Sequence, residues 1–167
     1  EDQELHPVAI LLTHGHFDHV MAVDSVRTAY HIPVYAAEAE KETMQDASIN
    51  LSINMGGAML SVEADHWLKD GETITLLDQE VRCILTPGHT VGGMCFYFPK
   101  AGKVFSGDTL FQESVGRTDF PGGSMSEIVR SIREKLFVLP DAVQVYPGHG
   151  LMTSIKNEKM FNPFAVE

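Results

Sequence analysis

The segment His14-Gly15-His16-Phe17-Asp18-His19 constrains the fold and chemistry of this chain more than any other feature. It follows the apolar run 8–12, whose β-branched members predict a short strand buried on both faces. Imidazole nitrogen and carboxylate oxygen are the ligands that zinc and similar divalent ions prefer, and a loop at the end of a strand can hold them rigidly. Surface histidines are the alternative, but a solvated loop has no reason to alternate them so tightly. We therefore predict a metal site at the end of this strand.

Three later turns repeat one arrangement, in which a strand is followed by a glycine and then by a possible metal ligand. They are Thr86-Pro87-Gly88-His89, Ser106-Gly107-Asp108 and Tyr146-Pro147-Gly148-His149. Glycine lets the backbone turn sharply and approach an ion without a Cβ in the way. Each turn alone is weak evidence, because a lone His or Asp after a strand is usually a turn residue. Together with the first cluster they supply five histidines and two aspartates, which suits two ions that share one carboxylate.

The first half of the chain has the pattern of a βαβ-like unit. The helical spacing of Val20, Val23 and Val26 predicts a helix that ends near Tyr30, and a strand follows at 32–35. Good helix formers predict a second helix at 38–46. The segment 49–61 has no clear period, so we expect a loop there.

The second half is predicted to be mainly antiparallel. Four short strands are expected at 73–77, 81–86, 94–98 and 104–106, and a last strand at 143–146. Ser124 and Glu127 form a capping box at the start of a helix, and Thr153 is the expected N-cap of a final helix that ends before Asn162. With no repeat or linker, residues 1–167 are expected to form one domain.

These motifs, in this order, resemble the metallo-β-lactamase superfamily and are most similar to its short glyoxalase II-like (hydroxyacylglutathione hydrolase-like) enzymes. The likeness runs from about Val8 to Phe164 and includes the segment 115–123, which is typical of single-domain members. The resemblance implies an α/β fold, an αββα sandwich with the site at one edge of its sheets.

The resemblance also implies a ligand set for two divalent metal ions. His14, His16 and His89 would hold one ion, Asp18, His19 and His149 the other, and Asp108 would bridge them. We expect zinc, with iron and manganese as alternatives. Three further histidines, His6, His31 and His66, lack a glycine turn or a neighbouring ligand type and are expected to lie outside the site.

The chain departs from the family at both ends. Only twelve residues precede Thr13, whereas relatives begin with a hairpin and a helix that complete the first sheet. We therefore expect the N-terminal strands to be missing, and we expect the exposed sheet edge to allow self-association. Only 17 residues follow Gly150, so the helical domain with which larger glyoxalase II enzymes bind glutathione is expected to be absent as well.

The predicted activity is hydrolysis of a small acyl-thioester, such as S-lactoylglutathione, by a hydroxide that bridges the two ions. Asp18 is expected to orient this hydroxide and to move a proton. Arg117 is expected to bind a substrate carboxylate, with a structural ion pair to Asp119 as the alternative. Two other readings stay open: a mononuclear iron persulfide dioxygenase, and a metal-binding fragment without turnover.

Charge limits the possible partners. The chain has 12 Lys and Arg against 23 Asp and Glu, a net charge of −11, which would repel nucleic acid and anionic membranes. No apolar stretch reaches the roughly 20 residues that span a bilayer, and the acidic N-terminus is unlike a signal peptide. We expect a cytoplasmic protein with a small-molecule substrate, and we expect Cys83 and Cys95 to be core residues.

Overall fold

Two facing β-sheets form the centre of the computed structural model, which describes residues 5–165. The first sheet has three parallel strands in the order β1 (Ile10–Leu11), β2 (Val34–Ala37) and β3 (His66–Leu68). The second is mixed and contains β4 (Thr73–Leu76), β5 (Gln79–Leu85), β6 (Met94–Phe98), β7 (Lys103–Gly107), β10 (Gln144–Pro147) and β11 (Thr153–Ser154). Its strand order is β11-β10-β7-β6-β5-β4. A small hairpin, β8 (Leu110–Phe111) with β9 (Ser114–Val115), forms a separate two-stranded sheet whose Leu110 and Val115 pack in the core beside the second sheet.

The helices flank these sheets. The N-terminal group comprises α1 (Phe17–Val20), α2 (Val23–Tyr30), a 3-10 turn (Glu38–Glu40), α3 (Lys41–Gln45) and a π-helical turn (Ser52–Gly56). The C-terminal group comprises α4 (Met125–Ser131), which continues as a π-helical turn (Ile132–Leu136), and α5 (Ile155–Phe161).

Strand β6 shows how one strand serves two core layers. Side chains alternate between the faces of a strand, and every residue from Met94 to Tyr97 is buried. Cys95 and Tyr97 pack with the helices outside the second sheet, while Met94 and Phe96 pack between the two sheets. A third cluster, which includes Val20, packs the N-terminal helices against the first sheet. These three layers confirm the expected αββα sandwich.

Several local predictions are confirmed. The four strands from β4 to β7 pair antiparallel in sequence order. Helix α2 ends at Tyr30, because the next residue, His31, adopts the left-handed conformation. The Ser124 hydroxyl accepts a hydrogen bond from the Glu127 N–H, as the capping box requires. Cys83 and Cys95 are buried free thiols, and burial raises the pKa of each to about 11.

The predicted N-cap of the last helix is wrong. Thr153 belongs to β11, where it pairs with Val145, and Ser154 caps the helix by accepting from the Asn157 N–H. The Thr153 hydroxyl instead donates to the buried carboxylate of Glu158. Strand β3 was not predicted, because its three residues follow a segment without periodicity.

Strand β1 lies at the edge of the first sheet and pairs with β2. Val8, just before it, is 42% exposed. A cavity of about 420 Å³ lies beside the strand and is lined by apolar side chains that include Leu11, Phe98, Phe105 and Tyr146. Self-association through this edge stays a prediction. Within the described residues, no helix is long and apolar enough to cross a bilayer.

Candidate metal centre

Four loops that carry the predicted ligands meet at one edge of the sandwich. Parallel strands β7 and β10 are neighbours, so Asp108 and His149, which follow them, emerge side by side. The hydroxyls of Thr86 and Thr109 lie 2.9 Å apart, which holds the turn before His89 beside Asp108. The first-sheet loop joins them because the Thr13 carbonyl accepts from the Met94 N–H at 2.7 Å.

The seven predicted ligands lie close together. Their donor atoms form three groups, each with all atoms within 4.8 Å of one another: His14, His16 and His89; His14, His19 and Asp108; and Asp18, His19 and His149. These are the two predicted ligand sets and a third group that links them. Among residues 5–165, no ligand group includes His6, His31 or His66.

Asp108 lies between the two predicted sets. Its Oδ1 is 3.5 Å from His19 Nε2, and its Oδ2 is 3.7 Å from both His89 Nε2 and His149 Nε2. One carboxylate therefore reaches imidazoles of both sets. This is the position that a bridging ligand needs.

Three nitrogen and oxygen atoms of the predicted ligands are buried without hydrogen-bond partners. Within the described part of the chain, His14 Nε2, His16 Nε2 and Asp108 Oδ1 are buried and have no hydrogen-bond partner. His16 Nδ1 faces His89 Nε2 at 2.9 Å. A buried polar atom without a partner costs about 1–3 kcal/mol, so His14 Nε2 and Asp108 Oδ1, whose residues belong to one ligand group, need a common explanation. A cation bound among them satisfies the nitrogen and oxygen lone pairs together, so these residues fit a metal.

Burial favours the neutral form of three imidazoles, those of His14, His16 and His19. Burial and the neighbouring imidazoles hold the pKa of His14 well below its usual range, and burial is the largest cause. Burial, with His89, lowers the pKa of His16 to about 4. Burial also lowers the pKa of His19 and raises that of Asp108. Neutral imidazoles present free lone pairs at neutral pH, which metal binding requires.

The orientation of His89 is set by a backbone carbonyl. Its Nδ1 lies 2.7 Å from the Arg117 carbonyl oxygen, which can only accept a hydrogen bond. The proton is therefore assigned to Nδ1, and Nε2 keeps its lone pair toward Asp108. Such a hydrogen bond is the usual way in which a protein orients a metal-binding imidazole.

A cavity of about 390 Å³ opens onto these ligands. His16, Asp18, His89, Asp108 and His149 form its polar part. Phe17, Leu51, Phe111, Val115 and Phe120 give it an apolar wall, and Ser114 and Arg117 complete the lining. A small molecule with one polar reactive group and an apolar portion matches this lining.

Comparison with known proteins agrees with this geometry. The family model described as the metallo-beta-lactamase superfamily matches residues 1–149. The chain belongs to the metallo-beta-lactamase superfamily. Among curated members, it is 41% identical over 165 residues to "Probable metallo-hydrolase YqgX" of Bacillus subtilis, covering 98% of this chain and 78% of that protein. It is 33% identical over 168 residues to "Hydroxyacylglutathione hydrolase GloC" of Haemophilus influenzae, with the same coverage of 98% and 78%.

Two solved structures show the same fold. The BLEG-1 B3 metallo-beta-lactamase matches with a TM-score of 0.92 and 40% identity, over 98% of this chain and 79% of that one. TTHA1623, solved in a di-iron-bound form, matches with a TM-score of 0.83 and 37% identity, over 96% and 78%.

Arg117 lines the cavity of this metallo-beta-lactamase superfamily protein, and its side chain is exposed. Its guanidinium makes a two-pronged ion pair with Asp119, with N to O distances of 2.9 and 2.8 Å, and stacks over Phe120 at 4.2 Å. The ion pair that the sequence left as an alternative is therefore present. Binding of a substrate carboxylate by Arg117 stays a prediction.

One residue that contacts the ligand-carrying loops, Glu40, was not predicted from the sequence. Glu40 is buried, and its carboxylate accepts hydrogen bonds from Gly15, Thr90 and Gly92. Burial raises its pKa, while these hydrogen bonds act in the opposite direction. One sequence pattern could have indicated Glu40. It lies four residues before Met44, which is buried, and residues four apart share a helical face, so the carboxylate is expected to point inward.

Proposed function

We propose that the chain is a metal-dependent hydrolase that holds two divalent ions and cleaves a small acyl-thioester. The observation that carries this proposal is the reach of Asp108 to His19, His89 and His149, imidazoles of both ligand sets. A single ion would leave one set unused. Zinc is our first choice of metal, with iron and manganese as alternatives. The di-iron-bound form of TTHA1623 supports iron as an alternative.

Two further findings support a hydrolase. The curated relatives include a probable metallo-hydrolase and a hydroxyacylglutathione hydrolase, whose name describes a thioester-cleaving enzyme. The donor set of imidazoles and carboxylates is also the kind that enzymes use to bind zinc for hydrolysis. No nucleophilic serine or cysteine is needed, and both cysteines are buried away from the ligands.

Divalent ions at this position supply a nucleophilic water at neutral pH and polarise a carbonyl oxygen. His14, His16 and His89 would hold one ion, Asp18, His19 and His149 the other, and Asp108 would contact both. The Asp18 side chain is 39% exposed and lies in the cavity, with Oδ2 at 3.2 Å from His149 Nε2. We assign Asp18 the role of accepting a hydrogen bond from the attacking water and passing its proton to the departing thiolate.

The rest of the cavity positions the substrate. Phe17, Phe111 and Phe120 give the acyl group or the thiol carrier an apolar wall and exclude water from it. Arg117 would bind a substrate carboxylate in place of Asp119, since the guanidinium is exposed and its planar fork pairs with either partner.

The decisive experiment is metal analysis of protein purified without chelator, together with a thioester assay and an oxygen electrode. We expect close to two ions per chain and hydrolysis of S-lactoylglutathione or a similar thioester without oxygen uptake. A single iron per chain with oxygen consumption on glutathione persulfide would instead support the dioxygenase. Two bound ions without hydrolysis of any acyl-thioester would support a metal-binding fragment.

A further inference from the structure

Glu40 connects the two loops that carry His14, His16 and His89. It is the last residue of the 3-10 turn after β2 and is 1% exposed. Its Oε1 accepts from the N–H of Gly15, at 2.9 Å, and Gly15 lies between His14 and His16. Its Oε2 accepts from the N–H of Gly92 at 2.7 Å and from the hydroxyl of Thr90 at 3.0 Å. The two oxygens therefore hold different loops.

These loops come from different sheets. The loop with Gly15 follows β1 in the first sheet, and the loop with Thr90 and Gly92 follows β5 in the second. A carboxylate has two oxygens at a fixed separation, so Glu40 sets how far apart the loops lie. One ligand from each loop lies at the closest approach, with His16 Nδ1 at 2.9 Å from His89 Nε2.

Close packing makes this connection stiff. A Cβ on Gly92 would overlap the backbone of Ala39 and Glu40, and a Cβ on Gly15 would lie 2.7 Å from Met44 Cγ. Both loops therefore rest directly on the turn and helix that carry Glu40. Because the packing leaves no free space, a small displacement of the carboxylate displaces the ligand loops as well.

The chemistry of Glu40 also favours a positioning role. Burying a carboxylate is expensive, and here neutral N–H and O–H donors compensate, including the hydroxyl of Thr43. An apolar side chain of similar size would avoid that cost. What the carboxylate provides in return is directional bonding to two loops at once.

On the basis of the proposed two-metal function, we propose that Glu40 is a positioning residue that sets the geometry of the ion held by His14, His16 and His89. The ligands of the first set lie directly beside the partners of Glu40: His14 and His16 flank Gly15, and His89 precedes Thr90. In the second set, Asp18 and His19 lie three and four residues beyond Gly15 in α1, and His149 follows β10, whose loop has no hydrogen bond to Glu40 among the described residues. The effect of changing Glu40 is therefore selective between the two ions. A residue needed only for folding would not discriminate between them.

The test is Glu40→Gln, which preserves size but replaces one acceptor oxygen by an NH2 group. Either Gly15 or the Thr90 and Gly92 pair then faces a donor instead of an acceptor. Metal-free protein would be titrated with Zn²⁺ in competition with a chromophoric chelator. The binding step that is lost in His89→Ala is called the His89 step, and the binding step that is lost in His149→Ala is called the His149 step. We expect Glu40→Gln to weaken the His89 step by about 10- to 100-fold and the His149 step by less than about threefold.

Glu158→Gln is a matched control. Glu158 is 0% exposed, and its carboxylate accepts from Glu113, Thr153 and Asn162, which are not ligands. We expect this variant to lose stability but to keep both metal affinities. Thr90→Val, which removes one hydrogen bond to Glu40, should weaken the His89 step alone by a smaller factor and serves if Glu40→Gln does not fold.

Cobalt gives a spectroscopic readout. We expect the d–d absorption of Co²⁺ in the His89 step to change in Glu40→Gln and to stay the same in Glu158→Gln. Unchanged affinity in both steps, equal weakening of both, or the same loss in Glu158→Gln would overturn the positioning role. If the wild type bound one ion only, the two-metal function would fail, whereas the response of that single step to Glu40→Gln would still decide the role of Glu40.

Discussion

At the scale of single residues, Asp108 has the most demanding position, because it contacts imidazoles of both ligand sets. We predict that Asp108→Ala loses bound metal and thioesterase activity together. Two divalent ions about 4 Å apart repel each other, and the shared carboxylate offsets that repulsion. Metal content and turnover would be measured side by side. Asp24→Ala, an exposed aspartate away from the site, should retain both. Full turnover by Asp108→Ala would rule out the two-metal mechanism.

His16 gives a prediction about pH that does not depend on metal. Burial lowers its folded-state pKa to about 4, whereas an unfolded histidine titrates near 6.5. The unfolded chain therefore binds this proton more tightly. The stability of metal-free protein should be complete above about pH 6.5 and fall as the pH decreases toward 4, by on the order of 3 kcal/mol from His16.

Urea unfolding of chelator-treated protein over this pH range measures the slope. His16→Gln should reduce this slope but not abolish it, because the variant has no proton to bind at this position while His14 and His19, whose pKa values are also lowered, still contribute. His6→Gln, at an exposed histidine, should leave the slope unchanged. Equal slopes in the wild type and His16→Gln would show that His16 is not responsible.

At the scale of helices and strands, the turn before His89 depends on a glycine packed against α4. Gly88 has a φ of 137°, and a Cβ there would overlap the backbone of Ile128. We predict that Gly88→Ala costs about 2–4 kcal/mol of stability and displaces His89, so that the His89 metal step is weakened.

The control for this prediction is Gly102→Ala. Gly102 also has a positive φ, of 62°, but nothing lies within 4 Å of its Cβ position. Gly102→Ala should lose only about 1–2 kcal/mol of stability, the cost of placing a residue with a Cβ at a positive φ, and should retain both metal affinities. Chemical denaturation and zinc titration of the two variants separate crowding from backbone strain. Identical behaviour would show that contact with α4 is unimportant.

Elements with a strong local pattern could be predicted from the sequence, and elements defined by distant contacts could not. Strand β6 was predicted at its observed bounds, because an apolar run of five residues ends in turn residues on both sides. Strand β3 has three residues and exists through its pairing with β2, which the sequence does not show. Thr153 looked like an N-cap because the pairing that makes it part of β11 is also distant in sequence.

The same distinction holds for the site. Each predicted ligand follows a strand with a glycine nearby, and the structure brings all seven together. Glu40 was missed because its partners, Gly15, Thr90 and Gly92, are 25 to 52 residues away in the chain. The Arg117 ion pair was foreseen as an alternative because Asp119 is two residues away.

At the scale of the whole molecule, the edge at β1 predicts association between copies. Val8 and Phe105, 42% and 43% exposed, lie at this edge and in the adjoining apolar cavity. We predict a concentration-dependent dimer in sedimentation experiments on this 167-residue chain. Val8→Glu should weaken it by at least about tenfold, or about 1.4 kcal/mol, because two like charges would meet.

Val138→Glu makes the same change at a site that is 71% exposed and belongs to the segment after α4. It should leave the dimer intact. A wild-type chain that sediments as a monomer at every concentration would contradict the prediction. Equal weakening by both variants would show that net charge, and not the β1 edge, controls association.

The spread of the ligands along the chain has a consequence for synthesis. His14 to His19 are made first, and 130 residues separate His19 from His149. At about 5–20 residues per second, a ribosome needs roughly 7 to 26 s to cover that distance. During this time the nascent peptide offers a partial ligand set, and the complete set exists only after β10 has been added. A metal ion can therefore meet the chain early, but its tight binding has to wait until the ribosome has added β10 and His149.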